Sequence, residues 1–162
     1  MIEIARKDDL AAIAALTVKA YEEFAPKLAC GAWEIMQKNL QNIEEKSKTA
    51  EFLIYRLNDR IVGSVAYCPA GKSDPGIFES NMASLLLLAV CPESRGKGIA
   101  KVLTKACIER ARRDGATAIA LFTSELMQSA QLLYRDLGFV LDIELPRRYG
   151  VRYFRFVLKF AT

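Results

Sequence analysis

Apolar and polar residues alternate at the start of the chain and then recur at a helical spacing. Ile2 and Ile4 flank a charged residue, as in a short strand with one buried face. A face of residues three or four positions apart follows, made of Leu10, Ile13, Ala14, Thr17 and Tyr21. This spacing predicts a helix that Asp8 or Asp9 caps and that Pro26 interrupts.

The next part of the pattern predicts a second helix and a hairpin. Residues 31–48 are amphipathic but less regular, whereas residues 51–57 and 61–68 are rich in apolar, β-branched and aromatic side chains. The connection Asn58-Asp59-Arg60 favours a turn between these two strands. Residues 69–81 contain two prolines and two glycines without periodicity, which predicts an exposed loop.

The centre of the chain combines an apolar strand with an amphipathic helix. Residues 82–90 end in six successive apolar residues, as in a strand covered on both faces, and Pro92 closes this strand. Residues 98–113 are predicted to form a helix that Gly115 ends. The predicted apolar stripe of this helix consists of Ile99, Val102, Leu103, Ala106 and Ala111.

One more strand, a helix and an antiparallel pair complete the pattern. Residues 116–122 predict a buried strand, and a helix is expected from about Ser124 to Gly138. Residues 139–145 and 152–160 are expected to pair as the last two strands. Strands and helices alternate, with hairpins early and late, which predicts an α/β fold with a mixed central sheet. Neither a repeat nor a linker divides residues 1–162, so we expect a single domain.

Composition narrows the class of protein. The chain has 162 residues, of which 52% are hydrophobic and 26% charged, as in a soluble globular protein. No apolar run approaches the roughly 18 residues that cross a bilayer. The first residues lack the charged and then apolar layout of a signal peptide. We therefore expect a cytoplasmic protein that does not enter a membrane.

The missing histidine and the scattered cysteines exclude several chemistries. The chain contains no histidine, so Ser-His-Asp and Cys-His pairs are excluded. The four cysteines form no C-x-x-C pair, and we expect reduced and mostly buried thiols at Cys30, Cys68, Cys91 and Cys107. We expect no metal site. Carboxylates, tyrosines, backbone amides or a cofactor must then carry any chemistry.

Basic residues are concentrated in one stretch, although the net charge is only +4. Residues 95–113 hold seven basic side chains and one acidic side chain, Glu109. Most of the basic ones are consistent with a solvated helix face. Arg95 and Lys97 lie where the helix begins and favour an anionic ligand. No aromatic residue is interleaved in this stretch, so we expect no nucleic-acid partner.

The loop between the apolar strand and the helix predicts an anion-binding site. The first amides of a helix lack partners within the helix, and the helix dipole makes that end positive. Gly96 and Gly98 allow phosphate oxygens to approach these amides closely. The loop does not fit a P-loop, because Ile99 follows Gly98, nor a dinucleotide fingerprint, because Lys101 replaces its third glycine. A glycine-rich turn that only starts the helix remains an alternative.

Two motifs make the chain resemble a known superfamily. Arg95, Gly98 and Ala100 fill the pattern [RQ]-x-x-G-x-[GA], which Val90-Cys91-Pro92 precedes as V-x-P. About 35 residues later, residues 133–139 match L-Y-x-x-x-G-F. With these motifs at this spacing, the sequence resembles the Gcn5-related N-acetyltransferase (GNAT) superfamily. The recognisable residues extend from about position 85 to position 139.

The resemblance implies a fold and a cofactor. The central sheet would be mixed, mostly antiparallel, flanked by helices and splayed between its fourth and fifth strands. Acetyl-CoA would be the co-substrate. The amides of Gly96, Gly98 and Ala100 would hold its pyrophosphate, and the backbone of Leu88 and Val90 would pair with its pantetheine arm like an added strand.

Further residues complete the cofactor site that the resemblance implies. Arg95, Lys97 and Ile99 belong to the same loop. A backbone N–H of Leu88 or Ala89 would stabilise the oxyanion of the reaction. The family often has an asparagine seven residues before its motif tyrosine, where this chain has Met127. Its contact with the cofactor arm is therefore open, and the neighbouring residues 128 and 129 are substitutes.

The reaction implied is the transfer of an acetyl group from acetyl-CoA to a primary amine. Tyr134 is the candidate acid for the departing thiolate, because a phenol has a reference pKa of about 10. A core tyrosine on the inward face of its helix is the alternative. Glu79 or Glu125 is a candidate base for the amine, and ordered water is another.

The acceptor is expected to lie near the first two helices. Tyr21, Glu22, Phe24 and Trp33, together with the neighbouring acid Glu23, offer aromatic walls and negative charge for an organic ammonium. Core packing and surface solvation explain these residues equally. The last hairpin could form the opposite wall, with residues that suit an acceptor bearing a carboxylate, namely Arg147, Arg148, Tyr149 and Tyr153.

Three classes of function remain open at this point. The first is an N-acetyltransferase acting by direct attack of the amine of a small molecule or peptide. The second is a non-catalytic acyl-CoA-binding sensor or regulatory module, and the third is a nucleotide-binding module. The acceptor is unidentified, and both a monomer and a homodimer are compatible with the sequence.

Overall fold

A computed structural model describes residues 1–161 as seven strands, five helices and three short 3-10 turns. The strands are β1 Ile2–Ile4, β2 Glu51–Leu57, β3 Arg60–Cys68, β4 Met82–Val90, β5 Ala118–Ser124, β6 Val140–Arg148 and β7 Val151–Lys159. The helices are α1 Leu10–Tyr21, α2 Ala32–Gln41, α3 Ile43–Lys46, α4 Ile99–Arg113 and α5 Gln128–Asp136. The 3-10 turns are Lys7–Asp9, Glu22–Lys27 and Pro92–Ser94.

All seven strands form one sheet in the order β1-β2-β3-β4-β5-β7-β6. Only β4 and β5 run parallel, and every other neighbouring pair is antiparallel. The parallel pairing joins Met82–Ser84 to Ala118–Ala120 and extends no further. The two strands separate beyond Ser84, so the predicted α/β fold with a splay between its fourth and fifth strands is confirmed.

Strand β4 carries a bulge just before the sheet opens. Its pairing with β3 passes from Ala66 opposite Leu86 to Ser64 opposite Ala89, so two residues of β4 face one residue of β3. Leu87 in this bulge has a φ of +58°, a left-handed conformation that is unusual for a side chain of its size. The bulge therefore holds strained backbone at the mouth of the opening.

Helices cover both faces of the central strands. Residues 62–68 of β3 are all buried, as a strand between two layers must be. On one face, Ala66 packs with Ile13 of α1. On the other, a Cβ added to Gly63 would lie 2.7 Å from Cγ2 of Ile99 in α4. Glycine at position 63 thus lets α4 approach the sheet closely.

Several element boundaries differ from the predictions. The helix expected over residues 31–48 is divided at Asn42, whose φ of −81° and ψ of 52° are not helical. Asp9 does not cap α1 with its side chain and instead accepts the Arg6 amide at 2.8 Å. Val102 is 42% exposed, because the buried face of α4 runs through Cys107 and neighbouring positions rather than through residue 102. The last helix begins at residue 128 rather than near Ser124.

The turn between β2 and β3 and the state of the cysteines agree with the sequence patterns. Asn58 and Asp59 adopt φ values of 50° and 64°, which form the tight turn between β2 and β3. Cys68, Cys91 and Cys107 are buried free thiols, and Cys30 is exposed. Within residues 1–161, no helix is long and apolar enough to cross a membrane, and no group of three metal-ligating side chains comes together.

Candidate active site

A cleft of about 610 Å³ opens where β4 and β5 separate. Its walls come from the end of α1, the end of β4, the start of α4 and the segment that leads into α5. The predicted cofactor residues that line it are Leu88, Ala89, Val90, Arg95, Gly96, Gly98, Ile99 and Ala100. Lys97 does not line the cleft, whereas Lys101, one turn into α4, does. All the predicted cofactor residues except Lys97 therefore line one cavity.

The loop from β4 to α4 directs backbone amides at this cleft. Gly96 and Gly98 have φ values of 77° and 78°, a conformation that a Cβ would make unfavourable. Gly98 is the N-cap of α4 and accepts the amide of Val102 at 3.1 Å. The amides of Ile99 and Ala100 precede the first helical hydrogen bond and lack helical partners. This end of α4 is positively polarised and has unpaired amides, as the predicted anion site requires.

Arg95 ties the loop to the segment after α1. Its guanidinium contacts the Glu23 carboxylate at 2.6 Å and donates to the Ala20 carbonyl at 3.1 Å. Both side chains of the ion pair are about half exposed, so the pair contributes less than about 1 kcal/mol. Arg95 is therefore held at the rim of the cleft by contacts that a bound anion can replace.

The edge of β4 presents unpaired backbone groups to the gap. In an antiparallel ladder, successive residues direct their backbone groups alternately toward and away from the neighbouring strand. The Cys91 amide donates to the Val62 carbonyl of β3 at 2.8 Å, so Val90 and Leu88 point to the other side. No strand pairs with them there, because β5 leaves β4 after Ser84. The Leu88 carbonyl instead accepts the Tyr21 hydroxyl at 3.1 Å.

Tyr134 lies in the core beside the cleft rather than in its wall. The residue is 5% exposed and packs against the rings of Phe139 and Phe156, at centroid distances of 5.8 and 6.4 Å. Burial raises the pKa of Tyr134, and the neighbouring Tyr21 raises it further, so the phenol stays protonated at neutral pH.

The tyrosine hydroxyls that form hydrogen bonds in the described chain are those of Tyr21, Tyr67 and Tyr149, so the Tyr134 hydroxyl has no partner there. A group approaching it from the cleft would find an unused donor.

Met127 occupies the place of the family asparagine and lines the cleft. It is the N-cap of α5, with a φ of −89° and a ψ of 58°, and offers no polar side-chain atom. Gln128 and Ser129, the substitutes considered from the sequence, line the same cleft. Polar groups are therefore available next to Met127.

A second cavity of about 340 Å³ joins the first. The two share Tyr21, Phe24, Leu126 and Met127 as lining residues, so they meet at the gap between β4 and β5. The second cavity extends away from the anion loop, between α2 and α3 on one side and the β6–β7 hairpin on the other. We call it the acceptor cavity.

The structure brings only some of the predicted acceptor residues to this cavity. Tyr21 and Phe24 line it, whereas Glu22 and Trp33 line neither cavity. The last hairpin contributes Arg148, Tyr149 and Tyr153 but not Arg147. Glu23 lines the cofactor cleft, where it is paired with Arg95. The negative charge expected for an ammonium is thus absent from the described lining of the acceptor cavity.

The two carboxylates considered as bases are committed elsewhere. Glu79 accepts a 2.6 Å bond from the buried Arg155, which lowers the pKa of that carboxyl. Glu125 accepts the backbone amide of Arg152 at 2.7 Å. Neither lines either cavity. Of the candidates weighed from the sequence, ordered water is the one that this geometry leaves for the amine proton.

Residues that no motif indicated complete the acceptor cavity. Asn39 and Lys46 reach it from α2 and α3, and Leu126 reaches it from the segment before α5. The hairpin is held over the cavity by the Asn39 amide, which donates to the Tyr149 hydroxyl at 2.6 Å, and by the Ala29 amide, which donates to the Tyr149 carbonyl at 2.9 Å. These contacts join residues far apart in sequence, so spacing alone gives no signal for them.

The family is established by comparison with known proteins. A model described as the acetyltransferase (GNAT) family matches residues 10–139 of this chain. The chain therefore belongs to the GNAT acetyltransferase family, as its two motifs predicted. The family agrees with the predicted class of N-acetyltransferase, and proteins of similar fold have been solved with acetyl-CoA and with coenzyme A, in agreement with the predicted co-substrate.

Curated relatives share only part of their length with this chain. N-acetyltransferase 8B of Homo sapiens is 36% identical over 88 residues, which are 54% of this chain and 37% of that protein. N-acetyltransferase 8F1 of Rattus norvegicus is 35% identical over 88 residues, which are 54% of this chain and 38% of that protein. The similarity thus spans little more than a third of either relative.

Solved structures share the fold over the whole chain. The PaiA N-acetyltransferase of Thermoplasma acidophilum, solved with coenzyme A, has a TM-score of 0.74 at 17% identity and matches over 99% of both chains. A GNAT family acetyltransferase of Brucella melitensis, solved with acetyl-CoA, has a TM-score of 0.66 at 22% identity, over 100% of this chain and 88% of that one. At this level of identity the likeness concerns the fold.

Proposed function

We propose that this protein transfers the acetyl group of acetyl-CoA to a primary amine of a small molecule or peptide by direct attack. The observation that carries the proposal is the meeting of two cavities at the gap between β4 and β5. One cavity holds the anion loop, and the other leads to a separate wall of apolar and polar side chains.

The cofactor cleft fits acetyl-CoA. The amides at Gly96, Gly98 and Ala100 accommodate the pyrophosphate, and Lys101 adds a positive charge beside it. The backbone of Leu88 and Val90 pairs with the amides of the pantetheine arm, as a strand pairs with a sheet edge. The thioester then lies near the bulge in β4, where the two cavities meet.

The reaction exchanges one bond for another. The lone pair of the neutral amine forms a C–N bond to the thioester carbonyl carbon, and the C–S bond breaks with its electron pair moving to sulfur. One proton of the ammonium passes to water before attack, and the nitrogen loses a second proton to water once the C–N bond has formed. The thiolate takes a proton from the Tyr134 hydroxyl, which recovers one from solvent. The products are an N-acetylated amine and coenzyme A.

Negative charge develops on the thioester carbonyl oxygen during attack, and a hydrogen-bond donor near the bulge would stabilise it. Of the two amides predicted as donors, that of Leu88 is proposed, because it faces the gap whereas Ala89 lies opposite Ser64 on the β3 side. Burial raises the pKa of Tyr134, so the phenol remains protonated over the working range of the amine and a proton is present for the thiolate.

Ligand-induced thermal shifts test the cofactor. Acetyl-CoA and coenzyme A at about 100 times their dissociation constants should each raise the melting temperature by roughly 5–10 °C. ATP and NAD should leave it unchanged. A shift with ATP but none with coenzyme A would refute the proposal.

Release of free thiol tests the reaction. A panel of primary amines incubated with acetyl-CoA should yield coenzyme A in amounts equal to the N-acetylated product. Binding of coenzyme A without turnover of any amine would favour the non-catalytic sensor instead. Secondary and tertiary amines of matched size serve as controls for attack by the amine nitrogen.

A further inference from the structure

The acceptor cavity is lined by positive charge, which disfavours binding of an organic ammonium. Its ionisable lining residues other than tyrosines are Lys46 and Arg148, and none of its described lining residues is Asp or Glu. Within residues 1–161, neither Lys46 nor Arg148 forms an ion pair. Two positive charges therefore face one cavity without a carboxylate from the chain.

The two cations are held in place by neutral contacts. Lys46 is partly buried, and its Nζ donates to the Asn39 carbonyl at 2.6 Å. The Arg148 guanidinium lies over aromatic rings, 5.9 Å from the centroid of Phe122 and 6.0 Å from that of Tyr153. Burial lowers the pKa of Lys46, and the charge of Arg148 lowers it further. An anion between them would relieve both effects.

The rest of the cavity suits an apolar group. Leu28, Met36, Leu40, Leu86 and Phe122 line it together with the smaller residues Thr123 and Ser124. Its volume of about 340 Å³ is within the range of small-molecule sites. A ligand here would place an apolar body against the leucines and an anion against the two cations.

Resting on the proposed acetyl transfer, we infer that the acceptor is a free amino acid with a large apolar side chain. Its carboxylate binds Lys46 and Arg148, its side chain lies against Met36, Leu40 and Phe122, and its amine points to the junction at Tyr21. This placement assigns Lys46 and Arg148 as specificity-determining residues that act on the acceptor and not on the acetyl donor.

A matched set of amines tests the acceptor class. Phenylalanine, phenylalaninamide and phenethylamine share the ring and the amine but only the first has a carboxylate. Because only the carboxylate can form charge-assisted bonds with the two cations, kcat/KM for phenylalanine should exceed that for phenethylamine by about 10- to 100-fold. Equal or better turnover of phenethylamine or of a polyamine would overturn the inference.

Substitutions of Lys46 and Arg148 test whether these two residues bind the carboxylate of the acceptor. Arg148→Met and Lys46→Met should each raise the KM for phenylalanine about tenfold or more, while the KM for acetyl-CoA and kcat/KM for phenethylamine stay unchanged. Arg147→Met and Lys48→Met are matched controls, because residues 147 and 48 do not line the cavity. An equal loss with phenylalanine and phenethylamine would contradict a role in binding the carboxylate.

Binding measured apart from turnover separates this inference from the proposed function. Calorimetry of phenylalanine against the protein saturated with coenzyme A should detect binding that Arg148→Met weakens and Arg147→Met preserves. If no amine is acetylated, the proposed transfer fails, and this titration still decides the ligand class. Tighter binding of phenethylamine than of phenylalanine would refute the anionic acceptor even if acetyl transfer occurs.

Discussion

Gly98 and Gly115 share one backbone conformation but lie in different surroundings. Their φ values are 78° and 80°, and a Cβ added to either would meet no atom within 4 Å. Gly98 begins α4 at the cofactor cleft, whereas Gly115 follows the end of the same helix. An alanine at either position adds the same backbone strain. Only the alanine at position 98 should also weaken anion binding, so comparing the two variants separates these effects.

Gly98→Ala and Gly115→Ala should each lower the free energy of unfolding by roughly 1–2 kcal/mol, since both force a side chain into the left-handed region. Only Gly98→Ala should also raise the KM for acetyl-CoA, by about tenfold, because its methyl group intrudes where phosphate oxygens approach the amides. Denaturant unfolding and steady-state kinetics measure the two effects. A similar rise in KM for Gly115→Ala would contradict the placement of the pyrophosphate.

Tyr134→Phe should reduce kcat by about a hundredfold at saturating acetyl-CoA, because general acids contribute roughly 10²–10⁴-fold. The ring packing against Phe139 and Phe156 is preserved, so the melting temperature should hardly change. Tyr55→Phe, which removes a hydroxyl from a residue that lines neither cavity, is the control. An unchanged kcat in Tyr134→Phe would remove the acid role.

The raised pKa of Tyr134 also predicts the pH profile. An acid with a pKa above its ordinary value of 10.0 stays protonated as pH rises, while more of the amine becomes neutral. The value of kcat/KM should therefore increase with pH and show no alkaline decline below about pH 10. A decline centred near pH 8 would indicate a different acid.

At the scale of elements, alternate residues of β4 direct their backbone groups to opposite sides of the strand. One set of its backbone groups completes the ladder with β3, and the other set faces the gap that β5 leaves. The bulge at residues 87 and 88 lies between the regular ladder and this free edge. The strand is thus both a structural element of the core and the proposed dock for the cofactor arm.

Amide hydrogen exchange can follow this division of β4. Coenzyme A should slow exchange of the Val90 amide at least about tenfold, because pairing with the pantetheine gives it an acceptor. The Cys91 amide, which already donates to Val62, should exchange slowly with and without the ligand. Equal protection of both amides in the free protein would show that the edge is not open.

Arg155 joins the loop before β4 to the last two strands. It is 7% exposed and contacts Glu79 at 2.6 Å and Asp142 at 2.7 Å. Arg155→Met should lower the free energy of unfolding by about 2–3 kcal/mol, because it leaves two carboxylates without their partner. Arg152→Met removes an exposed pair with Glu144 and should cost less than about 1 kcal/mol.

The Arg155 contribution should also depend on pH. Arg155 lowers the pKa of Glu79 below its ordinary value of 4.5, so the stabilisation is present above that value and is lost as pH falls through the lowered pKa. The wild-type protein should consequently lose more stability than Arg155→Met between pH 5 and pH 2. Parallel pH dependences in the two proteins would contradict this coupling.

At the scale of the whole molecule, two cavities meet at one gap in the sheet. Donor and acceptor can occupy them together, and the chain places no histidine or cysteine at their junction to accept an acetyl group. Double-reciprocal plots with acetyl-CoA and amine varied should therefore intersect. Parallel lines, or an acetylated protein isolated after incubation with acetyl-CoA alone, would indicate a covalent route.

The glycine loop at the start of α4 could be predicted to lie at a cleft because its signal is local. Arg95, Gly96, Gly98 and Ala100 are close in sequence, and helix geometry alone places their amides together. The continuous apolar run and the helical spacing of apolar residues likewise predicted β4 and α4 almost to their ends. The conformations of the loop and of these elements depend mainly on residues close together in the chain, and the sequence gives the order of those residues directly.

The sequence by itself determined the order of the elements, the anion loop and the family. Only the tertiary structure decided where β4 and β5 separate, that Tyr134 lies beside the cleft, and that Lys46 and Arg148 line one cavity. The physical reason is the range of the contacts involved. Residues 46 and 148 meet only because separate elements pack on one sheet, and no spacing along the chain encodes that meeting.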